Sequence, residues 1–503
     1  MRDARGAAPT PDWLLPFYTG GVTEDARERQ LERLRRERLD VLILGGGING
    51  AGIARDLALR ARETGTPLSI GLVEQAHFAS GASSRNSQLI HGGLRYLKNL
   101  EFRLVREALR ERALLLRLAP DYVRPLRFFM PISGWFERHY YHAGLALYDL
   151  LAGKARIERH RMLSREEAAQ LEPELSGGRL RGAALFFDAR VNSARFTLAN
   201  ISDAIDNGAA AVNYVRAEAW ERDAEGWRVH LRDTLSGEVF ETRARKLVDT
   251  TGPWSRAGGL RLVRGSHLVF PRLNRSDNAI AWFEESGRII FVIPWGEDNQ
   301  LSLVGTTDVD HKESPDHVRI SREETAYLLG IVKELFPGAQ ARPLAAFSAL
   351  RPLLRDEAAS PTRTSREHRI WNDAAGVLHV AGGKYTTYRL MSEEAADLAA
   401  REIAPALAGV HPTSRTPFRA ACLPQSPSER IAFAVRHEMA RRLSDLMFVS
   451  TYWGYEQPWD RERLEPYARE MGAILGWDRE RMEQEIEAVL SLRAVPDLTP
   501  LPL

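Results

Sequence analysis

Residues 80–97, SGASSRNSQLIHGGLRYL, bring together side chains that could bind an anionic ligand. Arg95 supplies a positive charge, and the serines and Tyr96 supply hydroxyl groups. Gly92 and Gly93 have no side chains, so another surface can approach the backbone closely. The stretch therefore predicts contact with a cofactor, with a substrate, or with both.

A glycine-rich turn precedes this stretch. The apolar run at 41–44 is too short for a helix and predicts a buried parallel strand. Gly45, Gly47 and Gly50 follow in GxGxxG spacing, then a helical pattern, then a second strand that ends at Glu74. This order predicts a dinucleotide site, because the glycines admit a pyrophosphate to the helix N-terminus and Glu74 can accept hydrogen bonds from a ribose. The alternative is an ordinary strand–helix–strand unit without a ligand.

The chain after Glu74 favours FAD over NAD, because its hydroxyls and small residues suit a loop lying along an extended dinucleotide. Here the sequence resembles the FAD-dependent glycerol-3-phosphate dehydrogenases of the aerobic, quinone-linked type, in which a serine-rich loop leads into LIHGGLRYL. The likeness continues in order through VDTTGPW, VRGSHLVFPR, FVIPW, VGTTDVDHK, SALRPLL and VAGGKYTTYRL. It covers residues 39–400 motif by motif and residues 415–503 more loosely.

The resemblance implies a site that oxidises a secondary alcohol beside a phosphate. Arginine suits phosphate oxygens because its guanidinium is a planar fork. The resemblance places three arginines in the substrate pocket, with Tyr96 beside the first: Arg95, Arg351 and Arg366. Thr306, in VGTTD, is expected to hydrogen-bond the substrate or to orient a neighbouring residue. Taken singly, each arginine also fits a surface ion pair.

His267, in RGSHLVF, is the predicted base, since an imidazole can take a proton near neutral pH. A hydrogen-bonded structural histidine is the alternative, and His91 is the rival candidate. Lys384 follows Gly382 and Gly383 at a predicted helix start, where it could hold the negative charge of a reduced flavin. A contact of Lys384 with the substrate would fit the sequence equally. A merely structural helix cap is the alternative, but it would need only one of the two threonines and no lysine.

Together, the glycine turn and the resemblance imply contacts with FAD along much of the chain. These predicted cofactor-binding residues are Gly45, Gly47, Asn49, Gly50, Glu74, Ser83, Ser84, His91, Gly92, Gly93, Ala217, Thr251, Gly252, Gly383, Lys384, Thr386 and Thr387.

The motifs predict an α/β protein with a Rossmann-like FAD-binding domain, an antiparallel-β substrate domain and a small all-α C-terminal domain. An N-terminal extension, with a charged and solvated helix at 24–38, comes first. The predicted domain segments are 1–38 for the extension, 39–125, 185–258 and 345–400 for FAD, 126–184 and 259–344 for the substrate, and 401–503 for the C-terminal domain.

Composition narrows the function classes. A net charge of +2 over 503 residues gives no reason to expect nucleic acid as a partner. The single cysteine, Cys422, has no partner for a disulfide or a metal site, so no metal is expected. The length suggests two or three domains.

Location and partners follow from the same sequence. No segment has the apolar length of a membrane span, and the N-terminus lacks a signal peptide's apolar run. We expect a cytoplasmic protein, whose aromatic and basic stretch at 126–154 could lie on the inner face of the cell membrane. A helix packed on the substrate domain is the alternative. A quinone-type acceptor is expected from the resemblance, and a homodimer is one expected assembly.

The sequence departs from the family at two places. Arg85, Asn86, Ser87 and Gln88 replace the usual small residue and lysine, and Tyr385 replaces an aliphatic residue. Three alternatives therefore stay open: an oxidase of 2-hydroxy or amino acids, a glycerol-3-phosphate oxidase that uses oxygen, and a non-catalytic flavoprotein.

Overall fold

The computed structural model describes residues 25–98, 100–175, 180–284, 288–296, 298–339, 342–354, 368–420 and 423–496. Its helices are α1 Ala26–Arg36, α2 Ile48–Thr64, α3 Arg95–Lys98, α4 Phe102–Leu118, α5 Trp135–Ala152, α6 Arg165–Leu171, α7 Ser193–Asp206, α8 Arg322–Leu335, α9 Tyr388–Ile403, α10 Pro427–His437, α11 Leu443–Asp445, α12 Arg461–Leu475 and α13 Arg479–Leu492.

The strands form two sheets. They are β1 Arg38–Leu44, β2 Ile70–Glu74, β3 Leu89–Ile90, β4 Val123–Ile132, β5 Arg161–Leu163, β6 Gly182–Val191, β7 Ala210–Asn213, β8 Val215–Asp223, β9 Gly226–Asp233, β10 Val239–Asp249, β11 Leu260–Pro271, β12 Ala279–Phe283, β13 Ile289–Trp295, β14 Leu301–Gly305, β15 Val309–Asp310, β16 Ala345–Leu354, β17 His368–Asn372 and β18 Leu378–Gly382.

The first sheet has a parallel centre in the order β18-β10-β1-β2-β7. Leu44 at the end of β1 lies level with Asp249 of β10 and Val73 of β2. The carboxyl ends of these strands therefore meet at one edge, where open α/β sheets bind ligands. This confirms the Rossmann-like fold class.

Small residues bring the flanking helices close to this sheet. A Cβ at Gly52 in α2 would lie 2.3 Å from Ser392 Oγ in α9, so only glycine permits this approach. Ala51, Ala54 and Ala58 of α2 are buried on the same helix. The turn at the end of β1 is thus held against a tightly packed helix pair.

The second sheet is largely antiparallel and runs in the order β15-β11-β14-β13-β12-β4-β6-β3, with β16 on β11 and β5 on β6. Its one described parallel pair joins β12 and β4. His267 on β11 lies level with Gly305 of β14 and with Phe347 of β16. The sheet thus places the His267, Thr306 and Arg351 motifs side by side.

The two sheets do not follow the predicted domain boundaries, because some strands belong to a different sheet from the one expected. Residues 345–354 were expected in the FAD-binding part, but they form β16 of the second sheet. Residues 185–191 likewise belong to β6 of that sheet. Sheet membership depends on pairing with distant strands, which the local residue pattern does not show. The division into domains at the expected boundaries stays a prediction.

Helix α1 corrects the expectation of a solvated lead-in. Leu31 and Leu34 are fully buried, and Arg27 is 2% exposed. The Arg27 guanidinium donates to Asp233 Oδ2 at 3.1 Å and to the Asn213 carbonyl at 3.2 Å. The helix therefore packs on the first sheet, with its charges concentrated on the outer face.

Helix α5 leaves large apolar side chains in solvent. Trp135 is 75% exposed, Phe136 is 74% exposed and Leu150 is 74% exposed. None of the helices in the described ranges combines the length and apolar character that a bilayer span requires.

Candidate active site

A cavity of about 1190 Å³ is lined by residues of both sheets. At one end it is bordered by Glu74 and Ala217 of the first sheet. At the other it reaches Arg351 on β16, Thr306 just after β14, and Lys384 after β18. The cavity thus joins the predicted cofactor turn to the predicted substrate residues.

The turn after β1 is shaped for close approach to an anion. Gly45 has φ +103°, and a Cβ there would lie 2.7 Å from the Thr250 carbonyl oxygen. Gly47 precedes α2 and supplies no capping side chain, so it leaves the helix end open to a ligand. The Ile48 N–H donates to Ser83 Oγ at 2.9 Å, which holds the serine-rich loop beside this turn.

Glu74 lies at the end of β2, level with the turn. Its Oε2 accepts from the Gly46 N–H at 2.7 Å and its Oε1 from the Ala76 N–H at 2.9 Å. Burial raises the pKa of Glu74, and the N–H groups of Ala76 and Gly46 oppose that rise. The carboxylate therefore has a fixed orientation from which it can accept hydrogen bonds from a ribose.

The turn after β10 is held by a buried carboxylate. Asp249 Oδ1 accepts from the Thr251 N–H at 2.9 Å and from the Thr251 hydroxyl at 2.6 Å. Asp249 Oδ2 lies 3.0 Å from Nδ1 of His379 on β18. Burial alone would raise the pKa of Asp249, but hydrogen bonds from His379, Ser255 and Thr251 hold it below its ordinary value. This cluster fixes Thr251 and Gly252 at the cavity wall.

The turn after β18 meets the serine-rich stretch. The His91 N–H donates to Thr386 Oγ1 at 3.1 Å, and the Thr386 hydroxyl lies 3.3 Å from the His91 carbonyl. Lys384 Nζ lies 3.5 Å from the centre of the Tyr96 ring, a cation–π distance. The structure therefore brings Lys384, Thr386, His91 and Tyr96 together.

Arg351 is held in one orientation at the cavity. Its Nη1 donates to Asp308 Oδ1 at 2.7 Å and to the Thr307 carbonyl at 3.1 Å, and its Nη2 donates to Thr306 Oγ1 at 2.7 Å. A Cβ at Gly265 would lie 2.2 Å from Arg351 Nη2, so the guanidinium packs where a side chain would otherwise stand. A pre-oriented guanidinium binds an anion with little loss of rotamer freedom.

His267 lies behind the cavity wall. It does not line the cavity, whereas Ser87, whose Oγ is 2.9 Å from His267 Nε2, does. The ring stacks on Phe347 with centroids 5.0 Å apart, and its Nδ1 has no hydrogen-bond partner among the described residues. Burial and the positive charge of Arg351 lower the pKa of His267 to about 3. The imidazole is therefore neutral at physiological pH.

This shift predicts that acidification destabilises the protein through His267. The folded pKa of about 3 lies below the ordinary 6.5, so the unfolded chain binds the proton first as the pH falls. The contribution of neutral His267 to the free energy of unfolding is fully present above the ordinary pKa. It falls by about 2 kcal/mol between roughly pH 7 and pH 5. Denaturant unfolding at both pH values should show a smaller loss of stability for His267→Gln than for wild type, because the variant has no imidazole at this position to protonate.

A His139→Gln variant is the control, because His139 is exposed on α5 and should keep the wild-type difference. An unchanged pH dependence in His267→Gln would contradict the buried neutral state of His267.

Most of the predicted site residues line this one cavity. They are Gly45, Gly47, Asn49, Glu74, Ser83, His91, Gly93, Tyr96, Ala217, Thr251, Gly252, Thr306, Arg351, Gly383, Lys384 and Thr386.

The remaining predicted residues are placed differently. Five lie beside or behind the lining residues: Gly50, Ser84, Gly92, His267 and Thr387. Arg366 lies outside the described residues, as does the side chain of Arg95, whose backbone begins α3. The roles of these residues stay predictions.

Sequence reasoning missed several polar residues of the cavity. Asp308 fixes Arg351, Ser87 contacts His267, and Arg264 pairs with Glu324 at 2.8 Å while lining the cavity. Asp308 stands two residues after Thr306 in VGTTD, so an acid close in sequence to a predicted substrate residue was the available signal.

These residues fit FAD. The Gly45–Gly47 turn forms a cradle that side chains would fill, and it opens onto the N-terminus of α2. Gly45, Gly47 and Asn49 would hold the pyrophosphate, Glu74 the ribose and Ala217 the adenine end. Gly383, Lys384 and Thr386 would lie at the flavin.

Comparisons with known proteins agree with this site. A family model described as FAD dependent oxidoreductase matches residues 40–398. A Mycobacterium bovis protein named glycerol-3-phosphate dehydrogenase 2 is 38% identical over 389 residues, which are 74% of this chain and 65% of that protein. The chain thus spans less than two thirds of that relative's length.

Two further comparisons extend this result. A Pseudomonas aeruginosa protein named glycerol-3-phosphate dehydrogenase is 38% identical over 381 residues, 71% of each chain. The X-ray structure of the glycerol-3-phosphate dehydrogenase from Bacillus halodurans complexed with FAD matches with a TM-score of 0.74 at 23% identity. It covers 95% of this chain and 99% of that chain, and it shows a shared fold.

The resemblance found in the sequence and the FAD cofactor are confirmed. The chain belongs to the FAD-dependent oxidoreductase family, and its relatives there include bacterial proteins named glycerol-3-phosphate dehydrogenase.

Proposed function

We propose that the protein oxidises sn-glycerol 3-phosphate to dihydroxyacetone phosphate with FAD as the hydride acceptor. One observation carries the proposal: the cavity that holds the dinucleotide turn also contains Arg351, fixed by Asp308 and Thr306, and Lys384. A phosphorylated alcohol requires such cations beside the oxidised carbon. The names of the two bacterial relatives support the same substrate.

In this proposal Arg351 and Lys384 bind the phosphate, with Arg95 and Arg366 as further predicted cations. Bound FAD would supply the hydride acceptor for the carbon that bears the hydroxyl. Ser87 Oγ passes the hydroxyl proton to Nε2 of His267, 2.9 Å away. Because the pKa of His267 is lowered to about 3, His267 is a weak base, so proton transfer should accompany hydride departure rather than precede it.

Anaerobic mixing of the purified flavoprotein with glycerol 3-phosphate tests the proposal. We expect the visible flavin absorbance to bleach, whereas lactate and an amino acid leave it unchanged. Bleaching by lactate or an amino acid alone would overturn the proposal and favour the oxidase of 2-hydroxy or amino acids. No bleaching by any of the three would favour a non-catalytic flavoprotein.

The acceptor is proposed to be a quinone. After anaerobic reduction, a soluble quinone analogue should restore the flavin absorbance faster than air-saturated buffer does. Faster recovery in oxygen would instead identify a glycerol-3-phosphate oxidase. The homodimer expected above stays a prediction, since a single chain is described.

We also propose that α5 attaches the protein to the inner face of the cell membrane. Its exposed Trp135 and Phe136 are the aromatic side chains that insert at a membrane interface. Replacing both with glutamate should lower the bound fraction in vesicle flotation by about tenfold or more, because each loses about 1.5–3 kcal/mol of apolar burial.

Leu235→Glu is the control for this experiment. Leu235 is 37% exposed in the turn between β9 and β10, away from α5, and its replacement should leave flotation unchanged. Wild-type protein that stays with the soluble fraction would contradict membrane attachment.

A further inference from the structure

The segment 443–459, which we term the C-terminal tyrosine segment, packs directly behind the candidate active site. It lies beyond residue 398, where the family match ends. It contains α11, a π-helical turn at Leu446–Ser450 and a 3₁₀ turn at Trp453–Tyr455. Sequence reasoning assigned no catalytic candidate to this part of the chain.

Aromatic contacts join this segment to His267. The Tyr455 ring lies 5.2 Å from the ring of Phe347, which stacks on His267. The Tyr452 ring lies 5.3 Å from Trp295, which in turn lies 6.2 Å from Phe347. The segment thus packs against Phe347, the ring that stacks on the buried His267.

The Tyr452 hydroxyl is bonded to the serine-rich loop, residues 80–88. It donates to the Ser84 carbonyl at 3.0 Å and accepts from the Ala194 N–H at the start of α7 at 3.2 Å. Tyr452 is 6% exposed, so water cannot readily replace these hydrogen bonds. A second tyrosine, Tyr455, is buried, which raises its pKa, and the nearby positive charge of Arg85 opposes that rise. Arg85 itself lines the cavity.

The anchored loop touches both halves of the site. One residue before Ser84, Ser83 contacts the N-terminus of α2 through the Ile48 N–H. Three residues after Ser84, Ser87 lies against His267 Nε2. Moving the Ser84 carbonyl would therefore disturb the cofactor turn and the predicted base together.

We propose that Tyr452 is a positioning residue, whose hydroxyl holds the serine-rich loop so that Ser83 meets the dinucleotide turn and Ser87 meets His267. Through Tyr452, the C-terminal tyrosine segment affects cofactor affinity and the hydride step, although Tyr452 does not line the cavity. The effect on the hydride step rests on the proposed function, and the effect on the loop and on FAD does not.

Hydrogen exchange of the flavin-loaded full chain tests the loop directly. Tyr452→Phe removes only the hydroxyl, so amides in the 80–90 region should exchange about tenfold faster than in wild type. FAD affinity, measured by fluorescence titration after flavin removal, should weaken about tenfold. The rate constant of flavin bleaching should fall about tenfold while half-saturation by glycerol 3-phosphate stays within about twofold, because Arg351 and Lys384 are not disturbed.

Tyr467→Phe is the matched control. Tyr467 also lies in the C-terminal part and packs on Trp453 and Trp459, but its hydroxyl has no described hydrogen bond to the serine-rich loop. It should match wild type in all three measurements. Exchange in α8, which is distant from the loop, should be equal in every variant if the fold is intact.

The outcomes separate this inference from the proposed function. If wild-type flavin is not bleached by glycerol 3-phosphate, the proposed function fails, while loop exchange and FAD affinity still decide the role of Tyr452. Unchanged loop exchange and FAD affinity in Tyr452→Phe would overturn the inference. If that variant fails to fold, exchange in the wild-type protein decides: loop amides at 80–90 that exchange as fast as those of an exposed turn would overturn the inference.

Discussion

Replacing Arg351 with glutamine is expected to lower kcat/KM for glycerol 3-phosphate by about a thousandfold, because a charge-assisted contact in a water-poor site is worth several kcal/mol. The guanidinium faces the cavity with Asp308 and Thr306 fixing its two terminal nitrogens. Glutamine keeps part of the side-chain length but carries no charge. Steady-state turnover and the rate of anaerobic flavin bleaching measure the loss.

The loss has two sources that a further variant separates. Glutamine at 351 also removes the ion pair that Arg351 forms with the Asp308 carboxylate, whose side chain is 3% exposed. The double variant Arg351→Gln/Asp308→Asn removes both charges and restores local neutrality. If the cation itself binds phosphate, the double variant stays about as inactive as the single one. Recovery to near wild-type turnover would show that the single variant suffered only from the loss of the ion pair between Arg351 and the buried Asp308 carboxylate.

Arg261→Gln is the matched control on the same strand ladder. Arg261 of β11 lies level with Leu353 of β16, two residues from Arg351, and it forms a bidentate pair with Asp310 outside the cavity. Exposed pairs of this kind contribute at most about 1 kcal/mol, so turnover should be unchanged. Equal losses in Arg261→Gln and Arg351→Gln would remove the basis for a phosphate site at Arg351.

The cofactor half of the site is predictable from sequence because its determinants are local. Apolar runs followed by glycine, glutamate or threonine predict strand ends, and parallel strands bring those ends to one edge. Gly45 after β1, Glu74 at the end of β2 and Thr251 after β10 meet there as the pattern predicts. Each of these positions depends on a turn of a few residues rather than on a distant partner.

The substrate half depends on pairings that local pattern does not contain. Asp308 meets Arg351 across 43 residues, and Tyr452 meets Ser84 across 368. The antiparallel register that places His267 beside Gly305 and Phe347 is set by whole strands. The sequence therefore indicates which residue types are suited to bind phosphate. The structure shows which groups orient these residues. It also shows that Ser87 lies between His267 and the cavity.

Helix α1 shows the same limit on the outside of the fold. Its composition is strongly charged, which predicts a solvated helix. A buried arginine paired with Asp233, together with Leu31 and Leu34, fixes it to the sheet instead. A few buried contacts decide the position of the helix despite its charged composition. Each buried contact contributes more to the free energy of folding than an exposed charged side chain does.

The largest effect on the cofactor is expected from Gly50→Ala. A Cβ at Gly50 would lie 2.0 Å from the Gly45 carbonyl oxygen and 2.6 Å from Thr250 Oγ1. The first of these is backbone at the dinucleotide turn, so the first turn of α2 must move away from β1. We expect FAD affinity to weaken by about a hundredfold or more, and the free energy of unfolding to fall by about 1–3 kcal/mol as in other overpacked sites.

The flavin-to-protein ratio after purification and a fluorescence titration with FAD measure this effect, and Gly144→Ala serves as its control. Gly144 lies inside α5, and a Cβ there would meet no atom within 4 Å. Alanine at that position should therefore retain flavin and raise stability by up to about 1 kcal/mol. FAD affinity within about threefold of wild type in Gly50→Ala would mean that the turn after β1 is not the pyrophosphate site, since the substitution forces apart the helix end and the Gly45 backbone that form this turn.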